Sequence, residues 1–496
     1  MYLRQLKNFL DDWAERRPRG APWLLACLSG ALLVNAKLFQ HFSLQTHAFD
    51  LGVFANACWN TLHGNILYDS VKGAPYLADH FQPILILMSP LLLLWNNAAA
   101  LVAIQSAGLA LAVPPLFWLV KKSTDQGALA AALCLLYLTS PFLAAINVFD
   151  LHPESLAIPI FLWGLWFLET NRLVAFFSAC LVSLLLKEDV PFALTALGLM
   201  LTLSPSRRKI GAALAILAIA SFIVETQIII PHFLKAPSSV HLSRYSHLGE
   251  SYLDILSNIV YDPVRIVHGL IFPAEKWWAF LKYLGSMAFL PLLDPLDFFP
   301  GLAALLPHLL SRYSGQYTLS GQYSALSLPF ALFASAKGLP RLLKHQGLTR
   351  LFPEGSNGAS LGISTWLLAG CLLLSGNALL FSSRYGKSPD WKRVKEFFLL
   401  IQSIPPEASV RSQSDLLPQV CMRKRSPLFA PYEQYKDLPL FEPSRAETDY
   451  ILLDLDGNCW PMTAQSFKSE VERLGEEGHY RLLRDVDGFE LWGKTP

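Results

Sequence analysis

Residues 127–169 read GALAAALCLLYLTSPFLAAINVFDLHPESLAIPIFLWGLWFLE, and two apolar runs in this stretch flank a short polar segment. The runs, 127–143 and 155–169, contain no charged residue before Glu169. A hydrocarbon core of about 30 Å takes about 20 apolar residues as a helix, and shorter runs are tolerated where the bilayer thins locally. The pattern therefore predicts two membrane-spanning helices joined by a polar loop.

Similar apolar runs recur along the chain and predict eleven spans in total. They cover residues 21–40, 98–120, 127–143, 155–169, 173–186, 190–204, 210–231, 277–293, 298–310, 323–336 and 360–381. The run Pro83–Trp95 is also apolar, but it is short and contains two prolines. These features favour a segment that lies along the membrane rather than one that crosses it.

Charge divides the chain into two regions. Residues 20–384 contain about 10% Asp, Glu, Lys and Arg, whereas residues 385–496 contain about 29%, against about 25% in an average soluble domain. We predict a cytoplasmic segment over 1–20, an all-α polytopic membrane domain over 21–384 with a first external loop at 41–97, and a small α/β domain over 385–496. The hydrophobic content of 53% excludes a disordered chain, and a net charge of +2 without a basic block excludes a nucleic-acid binder.

Basic clusters set the predicted orientation. If Pro83–Trp95 does not cross and the N-terminus is inside, every cluster obeys the bias of Lys and Arg toward cytoplasmic loops. The clusters are Arg16/Arg17/Arg19, Lys121/Lys122, Arg172, Arg207/Arg208/Lys209 and Lys337/Arg341/Lys344/Arg350. The C-terminal domain is then extracytoplasmic, and most acidic residues and histidines of the membrane domain lie on the external face, where we expect the chemistry.

The first external loop carries three titratable side chains of interest. Asp50 follows the first span, and a carboxylate at the water edge of a lipid-facing groove gains basicity from partial burial. Asp79 and His80 precede the apolar run at Pro83, and a histidine there suits a metal ligand or a proton carrier. Helix capping explains the two carboxylates equally well, so both interpretations stay open.

The segment Asn147–Glu154 contains Asp150, His152 and Glu154 between two apolar runs. Desolvated polar groups beside a bilayer usually serve a function. A helix start is the alternative, because Pro153 followed by Glu154 places a carboxylate near the positive end of a helix dipole.

Two further external segments complete the set. Lys187-Glu188-Asp189 places a lysine beside two carboxylates at a helix end, which suits phosphate binding but also ordinary snorkelling. The connection Arg312–Tyr323 is rich in tyrosine and Gly-Gln pairs. Tyr323 and its neighbours suit sugar or headgroup recognition, and an interfacial aromatic belt is the alternative.

No cofactor follows with certainty from the sequence. A divalent metal suits the oxygen and nitrogen ligands that Asp79, His80, Asp150, His152 and Glu154 provide, while a hydrogen-bonded substrate site without metal explains them as well. The nucleotide-binding and hydrolase motifs Gly-x-Gly-x-x-Gly, Gly-x-Ser-x-Gly and His-Glu-x-x-His are absent from the sequence, as is a Walker lysine loop. Nucleotide-driven chemistry is thereby disfavoured.

Five motifs occur in order along the chain. They are Phe49-Asp50-Leu51-Gly52, Asp79-His80-Phe81-Gln82-Pro83, Phe149-Asp150-Leu151-His152-Pro153-Glu154, Lys187-Glu188-Asp189 and Gly321-Gln322-Tyr323-Ser324-Ala325. The combination resembles a family of uncharacterised prokaryotic multi-pass membrane proteins, known only as a domain of unknown function, over about residues 45–495. That family usually has His-Tyr-Ser where this chain has Gln322-Tyr323-Ser324.

The layout resembles the GT-C membrane glycosyltransferases, which include protein mannosyltransferases and the aminoarabinose transferase of lipid A. The resemblance implies transfer of a sugar from a polyprenyl-phosphate donor to an extracytoplasmic acceptor, with Asp50 as general base or acceptor-orienting carboxylate. Asp150 joins Asp50 in the expected catalytic set. The expected substrate-binding residues are Asp79, His80, His152, Glu154, Lys187, Glu188 and Tyr323.

Two other functions stay open. A lipid or glycan transporter or flippase would carry charges midway through several spans, where only Glu225 clearly qualifies. A non-catalytic envelope assembly protein would tolerate replacement of the external carboxylates. The expected partners are membrane lipid and the lipid-linked sugar, and protein partners are left open.

The charged C-terminal region shows an alternating α/β pattern. It predicts helices near 390–402 and 464–474 and strands near 409–411, 450–454, 480–484 and 489–492, with a hairpin turn at Val486–Gly488. Cys421 and Cys459 both lie here, and a disulfide between them is left open. Asp454–Gly457 resembles a fragment of a calcium loop without its remaining ligands.

Overall fold

The computed structural model of the chain describes residues 19–236, 239–345, 359–371, 389–430 and 447–495, with scattered positions before residue 19 and Leu373. The end of the predicted span 360–381 and most of the predicted segment 1–20 lie outside these residues. Helices form nearly all of the described chain from Gly20 to Cys371, as the apolar runs predict.

Three described helices are long and apolar enough to cross a membrane. They are Gly20–Phe42, Ala99–Thr124 and Arg208–Leu234. The pair Gly127–Leu138 and Pro141–Val148 is bent by 47° and makes a fourth if it is one span. Prolines and bends divide the other apolar runs into shorter helices, so the predicted total of eleven spans is not confirmed.

Shorter helices complete the membrane region. They are Val53–Leu62, Ile84–Met88, Leu91–Leu94, Ala157–Glu169, Leu173–Leu184, Val190–Thr202, Tyr252–Tyr261, Pro263–Ile271, Glu275–Ser286, Pro295–Leu310, Ser314–Tyr317, Leu328–Lys344 and Ala359–Cys371. Short 3-10 helices lie at Tyr76–Ala78, Pro153–Leu156, Val240–Tyr245, Leu290–Leu293 and Gly321–Ser324, and π-helical turns lie at Ala48–Gly52 and Glu225–Ile229. A small hairpin pairs Tyr68–Asp69 with Ala74–Pro75. The run Pro83–Trp95 forms two short helices separated at Ser89-Pro90.

Small residues bring the helices of the core close together. A Cβ atom on Gly198 would lie 2.6 Å from the backbone nitrogen of Ala215, so Val190–Thr202 packs directly against Arg208–Val224. Within a membrane such close approach is the main source of helix association, because lipid chains are as apolar as the side chains.

Two amphipathic helices lie beside this core. Tyr252–Tyr261 and Pro263–Ile271 expose large apolar side chains, and Leu253 and Val264 are 77% and 75% exposed. A helix with one apolar and one polar face typically lies in the membrane interface. These two helices therefore present an exposed apolar face beside the core.

The C-terminal region contains the predicted α/β elements. Its sheet is four-stranded in the order Val410–Ser412, Tyr450–Asp454, Phe489–Lys494 and Tyr480–Val486, with a parallel first pair and antiparallel pairing in the rest. Its helices are Trp391–Ile401, Leu417–Val420 and Ala464–Glu476. Asp487 and Gly488 both have positive φ, as a two-residue hairpin turn requires.

The C-terminal region packs against the first loop. The Asn56 amide donates hydrogen bonds to the carbonyl oxygens of Cys421 and Arg423, at 2.8 and 2.9 Å. The ring of Trp460 contacts that of Phe49 with centroids 4.8 Å apart. The region thus adjoins the turn that carries Asp50.

Two minor predictions for this region are answered by the structure. Cys421 and Cys459 are both free, so the two residues form no disulfide here. The carboxylate of Asp454 binds the guanidinium of Arg393, with a distance of 3.0 Å from Nη1 to Oδ2. The Asp454 carboxylate, which would be a ligand in a calcium loop, is therefore engaged in an ion pair.

Candidate functional site

A cavity of about 360 Å³ lies where several of the segments that were predicted to be external meet. Its walls come from the first loop, from the segments around His152 and Lys187, and from residues 239–259 and 306–323. Separate parts of the sequence therefore converge on one space, as a binding site requires.

Asp50 reaches the cavity from the π-helical turn Ala48–Gly52. Its Oδ1 atom lies 3.2 Å from Nε2 of His152. Burial alone would lower the pKa of His152, but the nearby charge of Asp50 outweighs it and raises that pKa above its ordinary value. This contact therefore favours the protonated, positively charged form of His152.

Lys187 and Glu154 form a second ion pair in the same cavity, with 2.9 Å between Nζ and Oε1. The Gln82 amide donates to Oε2 of Glu154 at 2.9 Å, and the Tyr76 hydroxyl donates to Gln82 at 2.5 Å. Burial opposes ionisation of Glu154, but the charge of Lys187 lowers its pKa to about 2. Both oxygens of this buried carboxylate therefore have partners.

His80 and Glu188 form a third pair, with 2.5 Å between Nδ1 and Oε1. The backbone N–H of Phe81 donates to Oε2 of Glu188 at 3.0 Å. Burial of Glu188 is outweighed by the charge of His80, and the pKa of the carboxyl falls to about 2. The carboxylate holds the imidazole in a fixed orientation.

Asp79 lies between a lysine and two histidines. Its Oδ2 atom is 2.5 Å from Nζ of Lys72, and its Oδ1 atom is 2.7 Å from Nε2 of His241. The rings of His80 and His241 stack with centroids 4.4 Å apart and an angle of 5°. Burial opposes ionisation of Asp79, but Lys72 and the histidines hold its pKa well below the ordinary value.

Arg244 also lines the cavity, and its guanidinium stacks over the ring of Tyr313 at 4.8 Å. Within the described ranges it makes no ion pair with an Asp or Glu side chain, unlike Lys72 and Lys187. A cation that faces a cavity without a carboxylate partner is suited to an anionic ligand.

Apolar side chains also line the cavity. Phe192, Phe222 and Leu310 line it from three helices, and Leu256 and Ile259 line it from an amphipathic helix. The last two side chains are also 60% and 46% exposed, so the cavity opens at an apolar surface. A ligand with a charged head and an apolar tail matches this division.

Asp150 does not line the cavity, contrary to its expected place in the catalytic set. It is buried, and its Oδ2 atom accepts the backbone N–H of His47 at 2.7 Å. Its Oδ1 atom lies 3.5 Å from Nζ of Lys37, which also donates to the carbonyls of Val148 and Phe149. Asp150 thus ties the turn that carries Asp50 to the loop that carries His152, and a positioning role fits better than contact with substrate.

The other expected residues reach the cavity. Tyr323 lines it with its ring against His308, and Asp189 lies beside Lys187. The five residues expected to suit a metal do not gather at one point. Asp150 pairs with Lys37, His152 with Asp50 and Glu154 with Lys187, which leaves Asp79 and His80 together.

Several contributors are missing from the sequence-based set. They are Lys37, Lys72, Gln82, His241, Arg244 and Gln322, although Gln82 and Gln322 lie within the quoted motifs. Residues 241–247, His-Leu-Ser-Arg-Tyr-Ser-His, follow the seventh predicted span and carry two histidines and an arginine. This concentration of polar groups in one short segment is the feature of the sequence that indicates a contribution to the site.

Comparison with known proteins identifies relatives at the level of family and fold. The profile of a family described as "Predicted membrane protein (DUF2079)" matches residues 40–491. This match confirms the resemblance predicted from the five motifs. No curated protein sequence matches the chain.

Two solved structures of ArnT from Cupriavidus metallidurans, a GT-C glycosyltransferase, are similar to this chain. The apo structure has a TM-score of 0.50 and 14% identity and covers 94% of this chain and 97% of its own. The structure bound to undecaprenyl phosphate has a TM-score of 0.49 and 11% identity and covers 94% and 98%. The likeness to the apo structure shows a similar fold.

Proposed function

The chain belongs to the DUF2079 family of predicted membrane proteins, and from this premise we propose that it is a membrane glycosyltransferase. It would transfer a sugar from a polyprenyl-phosphate donor to an acceptor outside the cytoplasm. The observation that carries the proposal is the position of Asp50, which faces one cavity together with Lys187, Arg244 and an apolar wall.

The division of the cavity supports a lipid-linked donor. A polyprenyl phosphate has an anionic head and a long apolar chain. A site that binds it therefore needs cations near the head and an apolar surface along the chain. Arg244 and Lys187 supply the cations, and Phe222, Leu256 and Ile259 supply part of the apolar wall. A soluble sugar nucleotide would leave that wall exposed to water, at about 25 cal/mol for each Å² of apolar surface.

The sugar end of the donor needs polar contacts. Gln322 lines the cavity and is only 7% exposed, and in the described part of the chain its Oε1 atom accepts no hydrogen bond. A buried polar atom without a partner costs about 1–3 kcal/mol. A sugar hydroxyl that donates to this oxygen would remove that cost.

Asp50 is the proposed general base. Its carboxylate takes the proton from an acceptor hydroxyl while that oxygen attacks the anomeric carbon from the face opposite the phosphate. The bond between the anomeric carbon and the phosphate oxygen breaks, and the electron pair leaves with the lipid phosphate. The anomeric configuration is therefore inverted.

The remaining residues orient these groups. His152, fixed by its contact with Asp50, restrains the rotation of the carboxylate. Arg244 binds the phosphate oxygens, and the N–H groups of Lys187 that Glu154 does not occupy supply further donors. The leaving phosphate needs no strong general acid, since it departs as an anion.

Transfer from a panel of polyprenyl-phosphate sugars to envelope glycans or lipids, with the purified chain in liposomes, tests the proposal. We expect a product with one donor and its loss in Asp50→Asn. Asp125→Asn is the matched control, because that carboxylate is 98% exposed and does not line the cavity. If no donor is used and the liposomes instead show movement of lipid between leaflets, the proposal fails and a flippase is favoured.

A further inference from the structure

We propose that Asp79, His80 and His241 bind a divalent transition-metal ion, zinc above all, at the polar end of the cavity. The ligand atoms of these residues lie within 4.8 Å of one another. Oδ1 of Asp79 is 2.7 Å from Nε2 of His241 and 3.9 Å from Nε2 of His80. The site extends the proposed function but does not depend on it, since metal binding is measured without any sugar transfer.

The spacing of the ligand atoms suits a bound ion. Zinc binds nitrogen and oxygen at about 2.0–2.2 Å, so two of its tetrahedral ligands are about 3.3 Å apart. The two measured separations lie on either side of this value. Because a metal lies in the plane of each imidazole that binds it, at least one of the two parallel rings turns on binding so that all three atoms face one ion.

The two imidazoles lie close to one carboxylate oxygen. Their rings are parallel and stacked, and both Nε2 atoms lie near Oδ1 of Asp79. Two imidazole nitrogens and one carboxylate oxygen are thus gathered in one small space, and this donor set is typical of zinc sites.

Groups behind the ligands hold them in place. Glu188 lies 2.5 Å from Nδ1 of His80, which leaves Nε2 of that ring for the metal. Lys72 binds Oδ2 of Asp79 at 2.5 Å, so Oδ1 is the oxygen that faces the histidines. Metal-bound histidines usually donate their second N–H to a carboxylate in this way, which fixes the tautomer and strengthens the ligand.

The ligand set selects the type of ion. Mg²⁺ and Ca²⁺ prefer oxygen ligands throughout, whereas two imidazoles and one carboxylate favour zinc and its neighbours. Three protein ligands leave one tetrahedral position open, as in catalytic rather than structural zinc sites. All three residues line the cavity, so this position is available to an anionic oxygen such as that of a phosphate.

Zinc binding by the full-length chain tests the proposal directly. The protein is purified in detergent through a tag without histidine, stripped with EDTA and equilibrated with Zn²⁺, and the bound metal is counted by mass spectrometry. We expect about one zinc per chain. Co²⁺ in place of zinc should give the visible absorption bands of a tetrahedral site, and Mg²⁺ in equal amount should not compete.

Variants locate the ion. His241→Ala should remove the bound zinc, and Glu188→Gln, which alters the group behind His80, should weaken binding about 10- to 100-fold. His63→Ala is the control, because that exposed ring contacts Trp59 and does not line the cavity. Each variant is compared for elution and thermal unfolding, and His241 is suited to the test because it is partly exposed on a single turn.

Two results would overturn the proposal. One is a stripped wild-type chain that takes up no zinc at micromolar concentration. The other is a folded His241→Ala variant that binds as much zinc, as tightly, as the wild type. If the wild type binds zinc and the His241→Ala variant does not, but no assay shows sugar transfer, the metal site stands and only the proposed function is rejected.

Discussion

Nε2 of His152 lies 3.2 Å from Oδ1 of Asp50, and this contact joins two segments that are far apart in the sequence. Asp50 is carried by a π-helical turn, a rare conformation that is frequent at functional sites. The turn and the His152 loop are fixed to each other beneath the cavity by Asp150 and Lys37. The position of Asp50 is thus determined by several elements rather than by its own loop.

Asp50→Asn should lower the rate of sugar transfer about 10²- to 10⁴-fold, because the amide cannot accept the proton of the acceptor. Binding of the donor should change little, since the phosphate contacts are made by other residues. The measurement is the initial rate at saturating donor, with binding followed separately. Transfer within about twofold of the wild-type rate would remove Asp50 from the mechanism.

The pH dependence of transfer should reflect His152. Its pKa is raised, since the charge of Asp50 outweighs burial. The ion pair is therefore complete below the ordinary histidine pKa of 6.5 and is lost as the pH rises through the raised value. We expect the rate to decline on the alkaline side, and we expect His152→Gln to lack this decline while it retains measurable activity. An unchanged alkaline limb in the variant would assign it to another group.

Much of the fold follows from the sequence, because apolar segments partition into the membrane or the protein core and charged segments remain in water. The apolar segments become helices, and the strands of the C-terminal region lie within two or three residues of their predicted ends. The number of spans does not follow, since prolines and bends such as the 47° break after Leu138 shorten the helices. The length of an apolar run alone does not determine whether a short helix crosses the membrane.

The sequence predicted which residues contribute to the site, because these residues lie in the loop segments that were predicted to be external. Asp50, His80, Glu154 and Lys187 all line one cavity, as expected. The direction in which each side chain points is set by tertiary contacts. Asp150 turns away from the cavity because Lys37, a buried charge in the first long helix, needs a partner.

Arg244→Gln should weaken binding of the lipid phosphate about tenfold or more, because a charge-assisted hydrogen bond contributes about 1.5–3 kcal/mol. Binding of a polyprenyl phosphate is measured in detergent by native mass spectrometry or fluorescence. Arg265→Gln is the control, since that arginine is exposed and pairs with Asp262 on its own helix. Equal affinity in both variants would mean that Arg244 does not contact the phosphate.

Lys187→Met should destabilise the protein by about 3–5 kcal/mol, because it leaves Glu154 buried without its cation. The pKa of Glu154 is lowered to about 2, so the stabilisation by this pair is present above the ordinary value of 4.5 and is lost as the pH falls toward 2. The measurement is unfolding by denaturant in detergent at neutral pH. The double variant Lys187→Met/Glu154→Leu should recover most of the loss, and a double variant as unstable as the single one would contradict this account.

Asp150 should prove to be a positioning residue. Asp150→Asn retains an oxygen that accepts the N–H of His47, so transfer should keep at least about a tenth of the wild-type rate. Lys37→Met removes the hydrogen bonds to Val148 and Phe149 and leaves the Asp150 carboxylate buried, so it should lower the free energy of unfolding by about 3–5 kcal/mol. A catalytic Asp150 predicts the opposite pattern, namely an Asp150→Asn variant of unchanged stability whose rate falls as far as that of Asp50→Asn. Rates and unfolding curves of the three variants, measured in the same detergent, distinguish the two roles.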